Sequence, residues 1–308
     1  MGANSLGHIC QRFCTWVIGN YVKYLRSRTA SLYARVLRLV PSRNGVVQSA
    51  PTLEELGLAH MNETGRVGLR DDVEAGFYRN ATDEVYRGVS ISKDDTVVDV
   101  GCGSGGPLQF LSTRGANVVA VDVSAEVIEI ARSAVESQGG VVEFRVAHTQ
   151  ALPVADDFAT RVVCMEVLEH VDDPSFSLSE MFRIGKSGAL YLLTVPDSNA
   201  ERIIGAVGGP TYFQKPNHIR VIERNEFEDL VRNAGLEILS HDYNGFVSTF
   251  RLALLMMRGH KDLKAEDDIL LKWSRMWNEL LDSPEGPEMK KALDFLVPRS
   301  QIIVARKP

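Results

Sequence analysis

One segment, residues 97–106, constrains the fold of this chain more than any other part of it. Its sequence, Val-Val-Asp-Val-Gly-Cys-Gly-Ser-Gly-Gly, runs from an apolar stretch directly into closely spaced glycines. A short apolar run of this kind suits a buried parallel strand. The glycines permit a sharp turn and leave no Cβ between the backbone and a ligand. The segment therefore predicts a strand, a turn and a helix that together bind a nucleotide-like molecule.

Further apolar runs follow the first one, with helical patterns between them. The predicted strands are 96–100, 117–121, 141–146, 161–165 and 189–195, and the predicted helices are 108–114, 125–137 and 176–184. Ser124 and Asp173 precede two of these helices and are typical N-caps. Strands that alternate with helices in this way predict right-handed β-α-β units and a parallel sheet.

The regions on either side of this repeat follow other patterns. On the N-terminal side we expect helices over 52–60 and 71–88, and on the C-terminal side the stretch 200–209 is glycine-rich. A helix over 223–233, a strand over 237–243, a mostly helical stretch over 246–297 and a last strand over 300–305 complete the prediction. The aromatic and methionine residues of 246–297 fit either a core or a lid over an apolar ligand.

The glycine pattern fits two kinds of nucleotide site. Gly101-x-Gly103-x-x-Gly106 matches a dinucleotide fingerprint, and Asp122 would bind a ribose in either case. Asp99, two residues before the first glycine, distinguishes the two sites. Its carboxylate suits the ammonium group of a methionine moiety, whereas a pyrophosphate gains nothing from a second anion. The run Met-Glu-Val-Leu-Glu-His-Val-Asp-Asp-Pro over 165–174 follows the fourth predicted strand.

These motifs together resemble those of the class I methyltransferases that depend on S-adenosyl-L-methionine, and 161–174 is similar to the ubiquinone-biosynthesis O-methyltransferases. The resemblance covers 77–200 well and 217–239 loosely. It implies a Rossmann-like α/β fold, with seven strands, helices on both faces of the sheet and an antiparallel last strand. It also implies S-adenosyl-L-methionine as the cofactor and a small molecule as the methyl acceptor.

The resemblance further implies a role for each residue that matches a family motif. The methionine end of the cofactor would be surrounded by Asp99, Gly101, Gly103 and Gly105. Asp122 would accept both ribose hydroxyls, and Val123 would pack on the adenine. Glu166 would lie beside the transferred methyl group, and Tyr78, on a lid helix, would reach the cofactor carboxylate.

One position departs from the family pattern at the adenine end. His148 and Thr149 stand where the family has an aspartate that accepts a hydrogen bond from the adenine amino group. A neutral His148 accepts one hydrogen bond, whereas an imidazolium accepts none. Thr149 and the backbone offer a second way to bind the adenine.

Methyl transfer from a sulfonium is an in-line displacement, in which a protein aligns the reactants and excludes water. We expect O-methylation, with S-, N- and C-methylation left open, and a hydroxyl acceptor favours a general base. His170 and Glu169, after the fourth strand, and His218, in the loop before the sixth, are the candidates, although each histidine also has a purely structural interpretation. Tyr212 and Arg220 are candidates for binding the acceptor.

The first 50 residues contain seven basic side chains and no acidic one, although the whole chain has a net charge of −6. Residues 9–40 suit a helix on a membrane surface, an organelle transit peptide or a structural extension. No run of 18 apolar residues is present, which argues against a spanning helix. The four cysteines show neither C-x-x-C nor zinc spacing, so we expect reduced thiols, no metal and a cytosol-like compartment, with membrane association or mitochondrial import left open.

These observations divide the chain into five parts: a basic extension over 1–45, a helical lid over 46–95, a methyltransferase core over 96–245, a helical insert over 246–297 and a final strand over 298–308. No basic surface typical of nucleic-acid binding is expected, and a homodimer is left open. Two alternatives compete with an active methyltransferase: a cofactor-binding partner subunit without catalysis, and an NAD-dependent oxidoreductase. Asp99 and the Leu-Glu-His-Val run argue against the oxidoreductase.

Overall fold

The computed structural model describes residues 63–215, 217–259 and 267–308. Its strands are β1 (Phe77–Arg79), β2 (Glu84–Tyr86), β3 (Val89–Ser90), β4 (Thr96–Val100), β5 (Asn117–Asp122), β6 (Glu143–Val146), β7 (Ala159–Met165), β8 (Gly185–Pro196), β9 (Glu237–Asn244) and β10 (Ser300–Arg306). Its helices are α1 (Glu63–Ala75), α2 (Leu108–Ser112), α3 (Ala125–Glu136), α4 (Pro174–Ile184), α5 (Ser198–Gly208), α6 (Arg224–Asn233), α7 (Phe246–Met257), α8 (Asp268–Asp282) and α9 (Gly286–Leu296).

Seven of these strands form one sheet in the order β6-β5-β4-β7-β8-β10-β9. β4 pairs in parallel with β5 on one side and β7 on the other, and β10 pairs antiparallel with both β8 and β9. The predicted Rossmann-like fold with an antiparallel last strand is therefore confirmed. The chain reverses its direction of travel across the sheet between β4 and β7, and in such sheets ligands bind at the carboxyl ends of the strands beside that point.

The sheet is buried on both faces, as the apolar strand sequences predict. Along β4, Val98 and Val100 belong to one core cluster, while Val97 belongs to the cluster on the opposite face. Leu178 of α4 and Phe227 of α6 contribute to the first cluster. The second contains apolar residues of α2 and α3, namely Leu108, Leu111, Ile128 and Val135. Because neither face meets water, the strands need no alternation of polar and apolar residues.

Both predicted N-caps are confirmed. The Ser124 hydroxyl accepts a hydrogen bond from the backbone amide of Val127, and the Asp173 carboxylate accepts one from that of Phe176. These bonds satisfy amides that have no partner within the first turn of a helix. They fix where α3 and α4 begin, directly after the loops at the ligand-binding edge of the sheet.

The helix predicted over 71–88 is wrong from residue 76 onward. α1 ends at Ala75, and Gly76 follows with a φ of 111°, which the right-handed helix does not allow. The chain then forms a small antiparallel sheet of β1, β2 and β3. The aromatic and β-branched residues Phe77, Val85 and Tyr86 pack against the main core from these strands, a setting that favours strand over helix. Tyr78 therefore lies on β1, and not on a lid helix.

The remaining predictions differ from the structure in smaller ways. The glycine-rich stretch 200–209 forms most of α5, and the described parts of 246–297 contain three helices, α7, α8 and α9. Trp277 of α8 is 1 % exposed and packs with Val67 of α1 and Val247 of α7, so this part of the insert is core. The extension over 1–45 and the helix predicted over 52–60 lie outside the described residues. Among the helices described, none is long and apolar enough to cross a membrane.

Candidate functional site

A cavity of about 340 Å³ opens at the edge of the sheet where the parallel strands end. Met165 ends β7, Thr194 lies near the end of β8, and Asn244 ends β9. The antiparallel β10 begins at the same edge, where Ser300 lines the cavity. The polar and charged side chains around the cavity are Asp72, Tyr78, Glu166, Thr194, Asn244, Ser248, Arg299 and Ser300. The cavity thus lies over the ends of β7, β8 and β9, and β7 is the neighbour of β4 in the sheet.

The glycine loop after β4 holds a conformation that other residues would strain. Gly101 has a φ of 73°, and a Cβ placed on it would lie 2.4 Å from a methyl carbon of Val167. Gly103 also has a positive φ, and a Cβ placed there would meet nothing within 4 Å. The loop is therefore packed against Val167 on one side and leaves open space above Gly103, where a ligand can contact the backbone. Gly105 packs against Ala131 of α3.

Asp99 lies near the end of β4 and is only 1 % exposed. Its Oδ2 atom is buried without a hydrogen-bond partner. Burial, together with the nearby carboxylate of Asp122, raises the pKa of Asp99 to about 7. A buried carboxylate without a partner is costly, and a bound cation would remove that cost. The geometry therefore suits an ammonium group against Asp99.

Asp122 ends β5 and already fixes the glycine loop. Its two carboxylate oxygens accept hydrogen bonds from the backbone amides of Gly103 and Ser124, at 3.0 and 2.9 Å. A carboxylate has about four lone-pair sites, so two remain for ligand hydroxyls. The next residue, Val123, leaves 66 % of its surface exposed and presents an apolar face beside this carboxylate.

His148 and Thr149 follow β6 on the far side of Asp122. The Nδ1 atom of His148 accepts a hydrogen bond from the backbone amide of Gln150, at 3.3 Å. In a neutral imidazole the other nitrogen then carries the proton, so His148 presents a donor and not the acceptor that the family aspartate would supply. The Thr149 hydroxyl is hydrogen bonded to Ser177 of α4, at 2.8 Å. His148 therefore offers the adenine no acceptor, whereas the Thr149 oxygen keeps lone pairs that can accept a hydrogen bond.

Tyr78 and Glu166 both line the cavity. The φ angles of Tyr78 and Glu166 are 50° and 56°, which is strained for residues with a side chain. Glu166 accepts a hydrogen bond from the Thr194 hydroxyl at 3.0 Å and lies 3.6 Å from the Arg299 guanidinium. Burial, with Asp72 and Asp99 nearby, raises the pKa of Tyr78, so this hydroxyl remains protonated.

Glu169, His170 and His218, the candidate proton acceptors, lie together in the structure, but none of them lines the cavity. Their potential ligand atoms lie within 4.8 Å of one another, so the three side chains could hold a cation. Glu169 is buried, and neither of its carboxylate oxygens has a hydrogen-bond partner. Burial and then the Glu166 carboxylate raise the pKa of Glu169 well above its ordinary value. The Nδ1 atom of His218 is hydrogen bonded to the Glu201 carboxylate, at 2.6 Å.

Tyr212 and Arg220, predicted to bind the acceptor, have other partners. The Tyr212 hydroxyl donates a hydrogen bond to the buried carboxylate of Glu201, at 2.8 Å. Arg220 donates to the backbone carbonyls of Val171 and Asp172, both at 2.7 Å, and so holds the loop that follows β7. Neither side chain lines the cavity. Their role as acceptor-binding residues stays a prediction.

The residues of the site that were not found from the sequence include Asp72, Glu201, Asn244 and Arg299. They come from α1, α5, the end of β9 and the residue before β10. Arg299 bridges two acidic groups, since its guanidinium lies 3.6 Å from Glu166 and 3.4 Å from Glu201. No local motif marks these positions, because each is defined by packing between distant segments. A charged residue directly before a buried last strand was the one available signal, at Arg299.

The charges of the site favour a cationic ligand. Asp72 and Glu166 line the cavity, Asp99 lies near the end of β4, and Arg299, the basic residue of the cavity lining, is paired with Glu166 and Glu201. An excess of carboxylates favours a positive group and disfavours a pyrophosphate. The partnerless Asp99 oxygen, the open backbone at Gly103 and the lone pairs of Asp122 together fit an amino acid joined to a nucleoside. The residues present therefore fit S-adenosylmethionine, apart from the adenine end at His148.

Comparisons with known proteins agree with the fold and the motifs. A family model described as a methyltransferase domain matches residues 98–193, the segment from β4 to β8. The chain is 29 % identical over 183 residues to a ubiquinone biosynthesis O-methyltransferase of Nitrosomonas europaea, which covers 56 % of this chain and 77 % of that protein. It is 30 % identical over 166 residues to the protein of that name from Thiobacillus denitrificans, covering 51 % and 72 %.

A solved structure shares the fold at low sequence identity. It is a complex between the Haloferax volcanii Trm112 methyltransferase activator and a protein described there as a methyltransferase. The match has a TM-score of 0.51 and 22 % identity, and it covers 79 % of this chain and 94 % of the other. At this identity the similarity supports the sheet topology alone.

Proposed function

This chain belongs to the class I S-adenosylmethionine-dependent methyltransferases, and we propose that it transfers a methyl group from S-adenosylmethionine to a hydroxyl group of a small molecule bound in the cavity. The observation that carries the cofactor assignment is the buried Asp99 carboxylate, whose Oδ2 has no partner. It lies near the end of the strand that leads into the glycine loop, which leaves open space above Gly103.

Each part of the cofactor has residues that suit it. Asp99 would bind the ammonium group, and the backbone of Gly101, Gly103 and Gly105 would lie against the methionine portion. Asp122 would accept both ribose hydroxyls, and Val123 would cover one face of the adenine. His148 would donate its remaining N–H to a ring nitrogen of the adenine, since its Nδ1 accepts from Gln150.

The cavity beside Glu166 and Tyr78 would hold the acceptor. Bound S-adenosylmethionine supplies a methyl group on a positively charged sulfur. The acceptor must approach this methyl group in line with the departing sulfur. Glu166, Thr194 and Arg299 form a linked polar wall that positions the acceptor, and Phe77 and Met165 line the cavity with apolar surface that excludes water. The curated relatives are named as O-methyltransferases, which supports a hydroxyl acceptor.

Glu169, His170 and His218 are the proton acceptors suggested by the sequence, and that role remains a proposal. They form a cluster connected to the cavity wall through Glu201 and Arg299. A carboxylate and two imidazoles could exchange a proton with a ligand that reaches them. Their contribution can be compared directly with that of the cavity residues by substitution.

Isothermal titration calorimetry and product analysis test the proposed function. We expect binding of S-adenosylmethionine and S-adenosylhomocysteine, and no binding of NAD. Release of S-adenosylhomocysteine should follow when phenols or alcohols are offered together with amines and thiols as comparison acceptors. Binding of NAD alone contradicts the cofactor assignment. Cofactor binding without transfer to any acceptor supports the alternative of a non-catalytic partner subunit.

A further inference from the structure

Asp71 and Asp72 are neighbours on α1 but take part in different structures. Asp71 is completely buried. Its Oδ1 atom accepts a hydrogen bond from the Trp277 indole and also lies 2.9 Å from the Lys290 ammonium. Asp72 lines the cavity, and its Oδ1 accepts a hydrogen bond from the Asn244 amide at 2.7 Å. The helix thus places the Asp71 carboxylate in the buried interior behind the cavity and the Asp72 carboxylate at the cavity itself.

The support behind Asp72 is a buried polar network built by the helical insert. Lys290 of α9 contacts Asp71, Asp294 and the Asn244 side-chain oxygen at 2.9, 2.7 and 2.9 Å. The side-chain oxygen of Asn244 therefore accepts a hydrogen bond from Lys290, and its NH2 group donates one to Asp72. Because both ends of the amide are used, Asn244 has one orientation and the position of Asp72 is fixed.

Asp72 lines the cavity but has no cation of its own, because the nearby cations are paired with other carboxylates. On the α9 side, Lys290 is shared with Asp71 and Asp294. Across the cavity, Arg299 is paired with Glu166. Burial, and next the Asp72 carboxylate, raises the pKa of Tyr78 of β1 and keeps its hydroxyl neutral. Burial, and next the charge of Asp71, raises the pKa of Asp72 to about 7.

We propose that Asp72 is the catalytic residue that takes the proton of the acceptor hydroxyl as the methyl group is transferred; this inference rests on the proposed function. The new bond forms between the acceptor oxygen and the methyl carbon. The carbon–sulfur bond breaks, and its electron pair stays on sulfur, which leaves neutral S-adenosylhomocysteine. The hydroxyl proton moves to the Asp72 carboxylate, so the positive charge of the sulfonium and the negative charge of Asp72 disappear together.

The position of Asp72 distinguishes it from the histidines suggested by the sequence. Asp72 shares one cavity with Glu166, the residue expected beside the transferred methyl group. His170 and His218 lie outside that cavity, and Glu201 and Arg299 come between His218 and Glu166. A base with a pKa near the working pH also accepts a proton readily and releases it afterwards. Geometry and acidity therefore favour Asp72.

Substitution at Asp72 tests the inference with the full chain. We compare Asp72→Asn and Asp72→Glu with His170→Ala, His218→Ala and, as a control, Asp94→Asn, which changes an exposed aspartate before β4. Phenol, catechol and benzyl alcohol serve as hydroxyl acceptors, and aniline and thiophenol as comparison acceptors. Asp72→Asn should lower kcat by about 100-fold or more, as loss of a general base does, with KM and S-adenosylhomocysteine affinity nearly unchanged.

The pH profile separates a base from a merely structural residue. In the unsubstituted protein kcat should rise with pH and level off above about 7, as Asp72 ionises. Asp72→Asn should remove this plateau, and Asp72→Glu should restore part of kcat. A second measurement needs no turnover: the carbon-13 carboxyl signal that is absent from Asp72→Asn should titrate near pH 7. Its midpoint should shift when phenol is added with S-adenosylhomocysteine.

The other outcomes overturn the inference in distinguishable ways. If Asp72→Asn keeps at least half of kcat and the same pH profile while His170→Ala or His218→Ala loses both, a histidine takes the proton. If the unsubstituted protein methylates aniline or thiophenol and none of the hydroxyl compounds, the inference fails while methyl transfer stands. Cofactor binding without transfer to any acceptor removes the proposed function and this inference together. An Asp72 signal that phenol does not change also contradicts the inference.

Discussion

Tyr78 and Glu166 lie far apart in the sequence, yet they line the same cavity, and both hold left-handed backbone conformations with φ angles of 50° and 56°. A conformation of this kind costs on the order of 1–3 kcal/mol for a residue with a Cβ. It persists only where the surroundings fix it, and here Glu166 is held by Thr194 through both its amide and its carboxylate. Two strained residues that line one cavity favour a functional role for that cavity.

Asp99→Asn should weaken binding of S-adenosylhomocysteine by about 10- to 100-fold, because a charge-assisted hydrogen bond to the ammonium group is worth about 1.5–3 kcal/mol. The affinity of the unsubstituted protein should rise between pH 5.5 and 7.5, because the pKa of Asp99 is raised to about 7 and the cation binds its ionised form. The variant should lose this pH dependence. Calorimetry at several pH values measures both effects.

Asp94→Asn serves as the control for Asp99→Asn, since Asp94 is exposed and lies before the same strand. Its affinity and pH dependence should equal those of the unsubstituted protein. Equal affinities for Asp99→Asn and Asp94→Asn at pH 7.5 would show that Asp99 does not bind the ammonium group.

Gly101→Ala should lower the free energy of unfolding by roughly 2–5 kcal/mol. The left-handed φ of 73° accounts for about 1–2 kcal/mol, and the 2.4 Å approach of the new Cβ to Val167 adds about 1–3 kcal/mol. Gly106→Ala is the matched control, because Gly106 has no positive φ and nothing within 4 Å of its Cβ position. Urea denaturation measures the difference, and similar losses for the two variants would contradict the explanation.

Lys290→Met should destabilise the fold by about 3–5 kcal/mol at pH 8, because it leaves Asp71 and Asp294 buried without a cation. Burial already raises the pKa of Asp71 to about 6. Protonation therefore removes part of the repulsion, and the loss should be smaller at pH 5. Lys291→Met changes the exposed neighbour and should alter stability by no more than about 0.5 kcal/mol. Equal effects of the two substitutions in urea denaturation would rule out the proposed role of Lys290.

Glu169→Gln should change the pH dependence of stability. Burial raises the pKa of Glu169 in the folded protein, so its stabilising contribution is complete below the unfolded pKa of about 4.3 and is lost as the pH rises through the folded pKa. The unsubstituted protein should thus lose more stability from pH 5 to pH 8 than the variant does. Glu126→Gln, at an exposed position of α3, should leave the slope unchanged. A slope for Glu169→Gln as steep as that of the unsubstituted protein would show that Glu169 is ionised throughout.

The prediction of the glycine loop succeeded because its causes are local. A positive φ at Gly101 and Gly103 and the short reach from Asp99 to the turn involve residues adjacent in the chain. The prediction of a helix through Tyr78 failed because the choice between helix and strand was made by contacts with the main core. Hydrophobic spacing alone did not distinguish the two in so short a stretch.

The sequence by itself determined the strand rhythm, the glycine turn and the acidic residues at the carboxyl ends of β4 and β5. These features depend on periodicity and on backbone chemistry, which are written into neighbouring residues. Only the tertiary structure decided which charges meet. It brought Asp72 of α1, Glu166 after β7 and Arg299 before β10 around one cavity, and it buried Lys290 behind them. Packing of distant segments sets those distances and burials, and with them the protonation of the carboxylates, so no local pattern could reveal them.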